Sequence, residues 1–144
     1  MKNFKMFILL LVATVGFVAC GQNNKVVESY YDNGNPMQER YFEIIDGNKV
    51  LTKEVIYYDN KVKKMEGAYK DSLRDGVWKA WHRDGSLWSE GNYVNGKRDG
   101  FGNTYYQNGT RNIEGWYKDD KRVGKWHFYD SLGNLEETID FDNY

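Results

Sequence analysis

The side chains in this sequence with the means to do chemistry are Cys20, His82, His127, a carboxylate series at Glu66, Glu90 and Glu114, and an abundance of aromatic rings. The three glutamates are spaced 24 residues apart. Placed on alternate strands of a sheet they would stand about 10 Å from one another, too far for a catalytic carboxylate pair. Lysine or asparagine facing them makes them ladder residues of the sheet. A metal site needs three or four converging ligands. His82 and His127 fall at different places in the 24-residue unit, with no free cysteine to join them, so no metal and no cofactor are expected. Asn95-Gly96-Lys97 is turn chemistry without a following helix N-terminus, and hence no phosphate cradle. No nucleophile stands beside a base. The expectation is a protein that is no enzyme.

The aromatics are a different matter. Trp81, Tyr105 and Tyr129 recur at the 24-residue step, with Trp88, Phe101 and Trp116 near them in sequence. Large aromatic side chains anchor interfaces, and an exposed cluster of them marks a docking surface. Trp81, Trp88, Phe101, Tyr105, Trp116 and Tyr129 are therefore the candidate binding face. The competing account is that cross-strand aromatic pairs only brace the sheet, at about 0.2–1 kcal/mol each. It applies best to Trp81, Tyr105 and Tyr129, which recur with the unit. Trp88 and Trp116 break the repeat, for Asn112, Glu136 and Asn92 stand at the equivalent places, so architecture does not require them.

The elements that must position these residues follow from the period. Glu66-Gly67, Glu90-Gly91 and Glu114-Gly115 keep a step of 24, as do Gly76, Gly100 and Gly124, then Gly85, Gly109 and Gly133. A fixed period of roughly 20–50 residues is the mark of a repeat architecture. Asp84-Gly85 and Asn108-Gly109 predict two-residue hairpin turns with positive φ at both positions, and Leu132-Gly133 is a weaker copy. Each unit then reads as a strand, a tight turn and a second strand. The fold class is all-β, an elongated antiparallel meander of consecutive β-hairpin repeats. Helix is disfavoured because glycines recur every few residues and no 3.6-residue stripe survives.

Turn placement predicts facing pairs. Trp81 should face Trp88, Lys79 Glu90 and Trp78 Gly91; Tyr105 should face Asn112, Asn103 Glu114 and Phe101 Trp116. Alternation separates an apolar packing face, with Trp78, Gly91, Tyr93, Gly102, Ile113, Tyr117 and Trp126, from a face mixing charges with the candidate aromatics. Trp78 over Gly91 would be an aromatic cover on bare backbone. A sheet with one apolar side needs cover, expected from the early strands or from curling of the sheet.

The N-terminus carries an address. Lys2 and Lys5 precede an apolar run, Met6 to Val18, too short to span a bilayer and suited to a signal peptide. Phe17-Val18-Ala19-Cys20 resembles a bacterial lipobox, with Phe17 where leucine is usual. The resemblance implies cleavage before Cys20, the single cysteine, and its acylation. The chain divides into a lipoprotein signal peptide (1–19), a short tether (20–25), degenerate N-terminal repeats or a cap (26–65), and regular repeats (66–144). The tether reaches roughly 20 Å at most. Gly21 after the cysteine resembles an outer-membrane destination in the cell envelope. With the two leader lysines set aside, 18 basic and 21 acidic side chains leave a net charge of −3, which argues against nucleic acid.

The run from Tyr93 to Gly109, Tyr-x-Asn-Gly-Lys-x-x-Gly-x-Gly-x(6)-Gly, resembles a MORN repeat. The units with Trp78 and Trp126 resemble the variant found in bacterial proteins of the YwqK antitoxin type. The likeness is strong over Glu66 to Asn143 and weaker at Tyr30 to Gly34 and Tyr57 to Asn60. It implies a membrane-tethered module that binds a protein or peptide, in an antitoxin-like or immunity role. The alternatives are an envelope protein that assembles through strand edges, or a binder of glycans or lipid headgroups.

Overall fold

The structure is a computed structural model that describes residues 24–143. The signal peptide, Cys20 and the tether up to residue 23 lie outside the described residues. Ten strands follow in chain order: β1 (Asn24–Tyr30), β2 (Pro36–Ile45), β3 (Asn48–Tyr57), β4 (Lys63–Lys70), β5 (Leu73–Trp81), β6 (Leu87–Val94), β7 (Lys97–Tyr105), β8 (Arg111–Lys118), β9 (Lys121–Tyr129) and β10 (Leu135–Asp140). A 3-10 turn, Phe141–Asn143, closes the described part. The strands form a single ten-stranded sheet in sequence order, each antiparallel to the next. The fold is an all-β meander. Residues 26–65 continue the same sheet, so the early strands do not cross its packing face.

Two kinds of turn alternate, and they sit the other way round from the sequence reading. The tight two-residue turns join β2 to β3, β4 to β5, β6 to β7 and β8 to β9. Asp46-Gly47, Asp71-Ser72, Asn95-Gly96 and Asp119-Asp120 there have positive φ at both residues, the type I′ signature. At Asp84-Gly85 and Asn108-Gly109 only the glycine is left-handed. Gly85 N–H donates to the His82 carbonyl at 3.0 Å, and His82 N–H to the Ser86 carbonyl at 2.9 Å. That is a type I turn followed by a left-handed glycine, a three-residue hairpin loop.

The extra loop residue shifts the register. Trp81 pairs with Leu87 and not with Trp88, which becomes the additional residue of a bulge. Tyr105 likewise pairs with Arg111, and Asn112 is the bulged residue. Beyond the bulge the expected pairs form: Lys79 with Glu90 and Trp78 with Gly91, Asn103 with Glu114 and Phe101 with Trp116. A second irregularity lies opposite the glutamate–glycine steps, where Gly76, Gly100 and Gly124 adopt positive φ. Bulges increase local twist and bend the strand, so a period of two bulges per unit curls the sheet.

The most buried apolar side chains are Val55, Trp78 and Trp126. Trp78 does not lie on Gly91 as expected. Its indole covers Gly67 of the preceding strand, where a Cβ would collide with the ring, and Trp126 covers Gly115 in the same way. Each indole N–H donates to a carbonyl, Trp78 to Ala68 at 3.0 Å and Trp126 to Trp116 at 3.2 Å. The units are also tied at the three-residue loops. Tyr58 and Tyr106 donate their hydroxyls to the carbonyls of Trp81 and Tyr129, at 3.0 and 2.8 Å. Asn60 and Asn108 donate to the Arg83 and Ser131 carbonyls.

Candidate functional site

The six aromatic candidates divide into two groups. Tyr105, Tyr129 and Trp81 are half-buried and serve the glutamate row. The Tyr129 hydroxyl donates to Glu114 at 2.7 Å, and that of Tyr105 to Glu90 at 3.3 Å. Asn103 donates to the Tyr105 oxygen at 2.8 Å. Lys63 lies over the Trp81 ring and pairs with Glu66 at 2.9 Å. In the early copy the corresponding carboxylate is Glu39, which accepts from Tyr41 at 2.9 Å, Tyr57 at 3.0 Å and Lys25 at 3.0 Å. Burial alone would raise the Glu39 pKa, but these donors outweigh it and hold the carboxyl below its ordinary value. Burial, then the Glu39 bond, pushes the Tyr57 phenol well above its usual range. Tyr105 is raised by burial and by Glu90, Tyr129 chiefly by its bond to Glu114.

Trp88, Phe101 and Trp116 are exposed. Phe101 and Trp116 face each other across β7 and β8 with ring centroids 5.6 Å apart in an edge arrangement. Trp88 stands apart from them at its bulge, 6.2 Å from the His82 ring. The structure therefore brings together two of the six as an exposed pair, and uses Tyr105 and Tyr129 as donors inside the sheet. Among the described residues no group of three or more His, Cys, Asp or Glu side chains could hold a metal ion.

The packing face holds a feature that sequence reasoning missed. It carries an open cavity of about 260 Å³ between Trp78 and Trp126. Position 102 is the equivalent of both tryptophans, and glycine stands there. Gly91 consequently has no ring on it: a Cβ at Gly91 would meet only the Gly102 Cα, at 3.9 Å. Tyr93 and Tyr117 flank the gap. Tyr93 packs at 6.2 Å against Trp78, Tyr117 at 4.8 Å against Trp126.

Three arginines edge this cavity, each set by a type I′ turn. Arg74 pairs across the strands with Tyr69, Arg98 with Tyr93 and Arg122 with Tyr117. The next unit's turn fixes the backbone: Gly96 N–H donates to the Arg74 carbonyl, Asp120 N–H to that of Arg98. The guanidinium of Arg74 lies 4.0 Å over Trp78, that of Arg122 4.4 Å over Trp126 and that of Arg98 5.1 Å over Tyr117. Arg98 also donates to the hydroxyls of Tyr93 and Tyr117, at 3.2 and 3.1 Å. Among the described residues no carboxylate forms a salt bridge with any of the three. Their 24-residue spacing was the signal in the sequence, and the register of the type I′ turns is what places them on this face.

The geometry of tight turn, glutamate–glycine step and bulge agrees with a comparison of the sequence to known families. Residues 24–43 and 74–95 match the MORN repeat variant. The first match covers β1 and most of β2; the second runs from Arg74 to the Asn95 turn and contains Trp78, Trp81 and Trp88. No curated protein matches the chain. Among the described residues no helix is long and apolar enough to cross a membrane.

Proposed function

We propose that the chain is a non-enzymatic binding module, tethered to the cell envelope through Cys20, that captures a protein or peptide on the aromatic side chains of its repeat sheet. The observation that carries this reading is the Phe101–Trp116 pair. Two large rings, 39 % and 56 % exposed, stand edge to face on adjacent strands, with no element of the described residues packed over them. Large aromatics that are rigid and half out of water are the usual anchors of protein interfaces, and a strand framework fixes their spacing.

The tether is supported by the run Phe17-Val18-Ala19-Cys20. An immunity role fits the antitoxin-like resemblance, and restricts it: a protein held outside the cytosol neutralises a toxin that meets it in the envelope. The test is crosslinking in the native envelope of the full chain against Phe101→Ala/Trp116→Ala, at matched thermal stability. A partner held by wild type and lost from the double variant supports the reading. Identical partners for both, or none for either, overturn it, and filaments growing with concentration would put the strand edges in its place. Metabolic acyl labelling of wild type against Cys20→Ser tests the anchor.

A further inference from the structure

We infer that the cavity over Gly91 and Gly102 is a second site, on the opposite face from Phe101 and Trp116, that receives an aromatic side chain of an acidic peptide. This goes beyond the function proposed above and does not depend on it.

Shape sets the first requirement. In the flanking units an indole lies on a strand glycine, Trp78 on Gly67 and Trp126 on Gly115. In the middle unit no ring lies on Gly91, and Trp88, at its bulge, lines the same cavity. What fits is a flat ring of indole size, resting on Gly91 and edged by Tyr93 and by Tyr117, whose ring stands beside Gly102. An aromatic ring laid on bare strand glycine is the same contact that the sheet makes for itself on either side.

Charge sets the second. Arg74, Arg98 and Arg122 stand at alternate strands, roughly 10 Å apart, along one border of the cavity. Of the acids nearby, Glu90, which borders the cavity, pairs with Lys79 at 3.4 Å, Asp99 with Lys118 at 2.7 Å and Asp119 with Lys97 at 3.3 Å, while Asp120 and Asp142 accept from the N–H groups of Arg98 and Gly124, each at 2.8 Å. Held on aromatic faces and without carboxylate partners, the guanidiniums of Arg74 and Arg122 offer free forks to carboxylates, while Arg98, bonded to the hydroxyls of Tyr93 and Tyr117, adds its charge between them. The spacing suits acidic side chains on either side of a central aromatic residue. A sugar platform fits less well, because the faces of Trp78 and Trp126 are already taken by Arg74 and Arg122.

The probe is a synthetic peptide, acetyl-Asp-Glu-Trp-Asp-Glu-amide, titrated into the protein with backbone amide and indole N–H resonances observed. Comparison peptides carry alanine for tryptophan, or lysine for every acid; an oligogalacturonate tests the glycan reading. The expected result is a saturating shift of Gly91, Gly102 and the Trp78 and Trp126 indoles, at least tenfold tighter for the first peptide than for either comparison. Raising salt should weaken it. Gly102→Trp should abolish the effect by supplying the missing ring from within. Arg98→Gln, which leaves the floor intact, should weaken it several-fold. Phe101→Ala/Trp116→Ala should leave it unchanged, which separates this site from the other face. No shift with any probe, equal binding of the alanine peptide, unaltered binding to Gly102→Trp, or tighter binding of the oligogalacturonate would overturn the inference.

Discussion

The indole of Trp126 lies flat on the backbone of Gly115, so close that a single methyl group at Gly115 would occupy the space of the ring. The glutamate–glycine step of the repeat is thus a packing requirement and not a conformational one, since no positive φ occurs at Gly67, Gly91 or Gly115. Gly115→Ala must displace the ring or the strand, and forced overpacking of this kind costs about 1–3 kcal/mol or more. Gly91→Ala has nothing nearer than 3.9 Å and reduces the freedom of the unfolded chain, a gain of about 0.4–1 kcal/mol. Thermal denaturation of the two variants should move in opposite directions. Equal losses would mean that the ring is not what the glycine accommodates.

Much of this was legible before the structure. The 24-residue recurrence gave the meander, and alternation gave the pairs Lys79–Glu90, Asn103–Glu114 and Phe101–Trp116. The error lay in the turns. An Asn-Gly or Asp-Gly pair serves a two-residue loop or a three-residue loop equally, because both need a left-handed glycine. Asp119-Asp120, with no glycine at all, forms the tighter one. One residue of difference displaced Trp88 and Asn112 into bulges and removed the expected Trp81–Trp88 pair. The arginine row recurs in the sequence but its face was not legible, for a related reason: its residues follow the type I′ turns, and without that register nothing placed them on the face of Trp78 and Trp126.

The bond from Tyr129 to Glu114 makes a separate prediction. Glu114 is 9 % exposed and accepts from Tyr129 at 2.7 Å and Arg111 at 2.8 Å. Tyr129→Phe keeps the ring and removes one of two donors to a nearly buried carboxylate. A hydrogen bond to a charged group is worth about 1.5–3 kcal/mol, and the remaining Arg111 contact places the loss near the lower end. Chemical denaturation should show a lowered midpoint with an unchanged slope. No loss would mean that water replaces the hydroxyl and that Tyr129 is free to serve an interface.

Acid should reveal the glutamate row. Glu39 and Glu66 both titrate below their usual value of 4.5: burial opposes the shift, and the donors around them overcome it. A carboxyl with a depressed folded-state pKa contributes stability that is present above the unfolded value and lost as pH falls through the folded one. Melting temperature should therefore hold from neutral pH down to about 5 and then decline steadily on further acidification. Glu39→Gln should start from a lower stability at pH 7 and decline less steeply below that point. Parallel curves for the two proteins would show that Glu39 carries no linked proton.

Gly102→Trp tests whether the cavity is a vacancy in the repeat or merely a bend in the sheet. Tryptophan is native to this place in the units on both sides, and the residue it would cover, Gly91, is bare. The one close neighbour is Tyr117, whose ring would stand 3.3 Å from the new Cβ. Tyr93 shows where that tyrosine can go, since it packs beside Trp78 in the preceding unit at 6.2 Å. Burying a large side chain contributes about 1.5–3 kcal/mol, of which the shift of Tyr117 takes a part. A net gain near 1 kcal/mol should raise the melting temperature by several degrees. A lower melting temperature would mean that the middle unit is built around its glycine. The repeat would then be broken there by its own backbone, with no room left for an indole from either source.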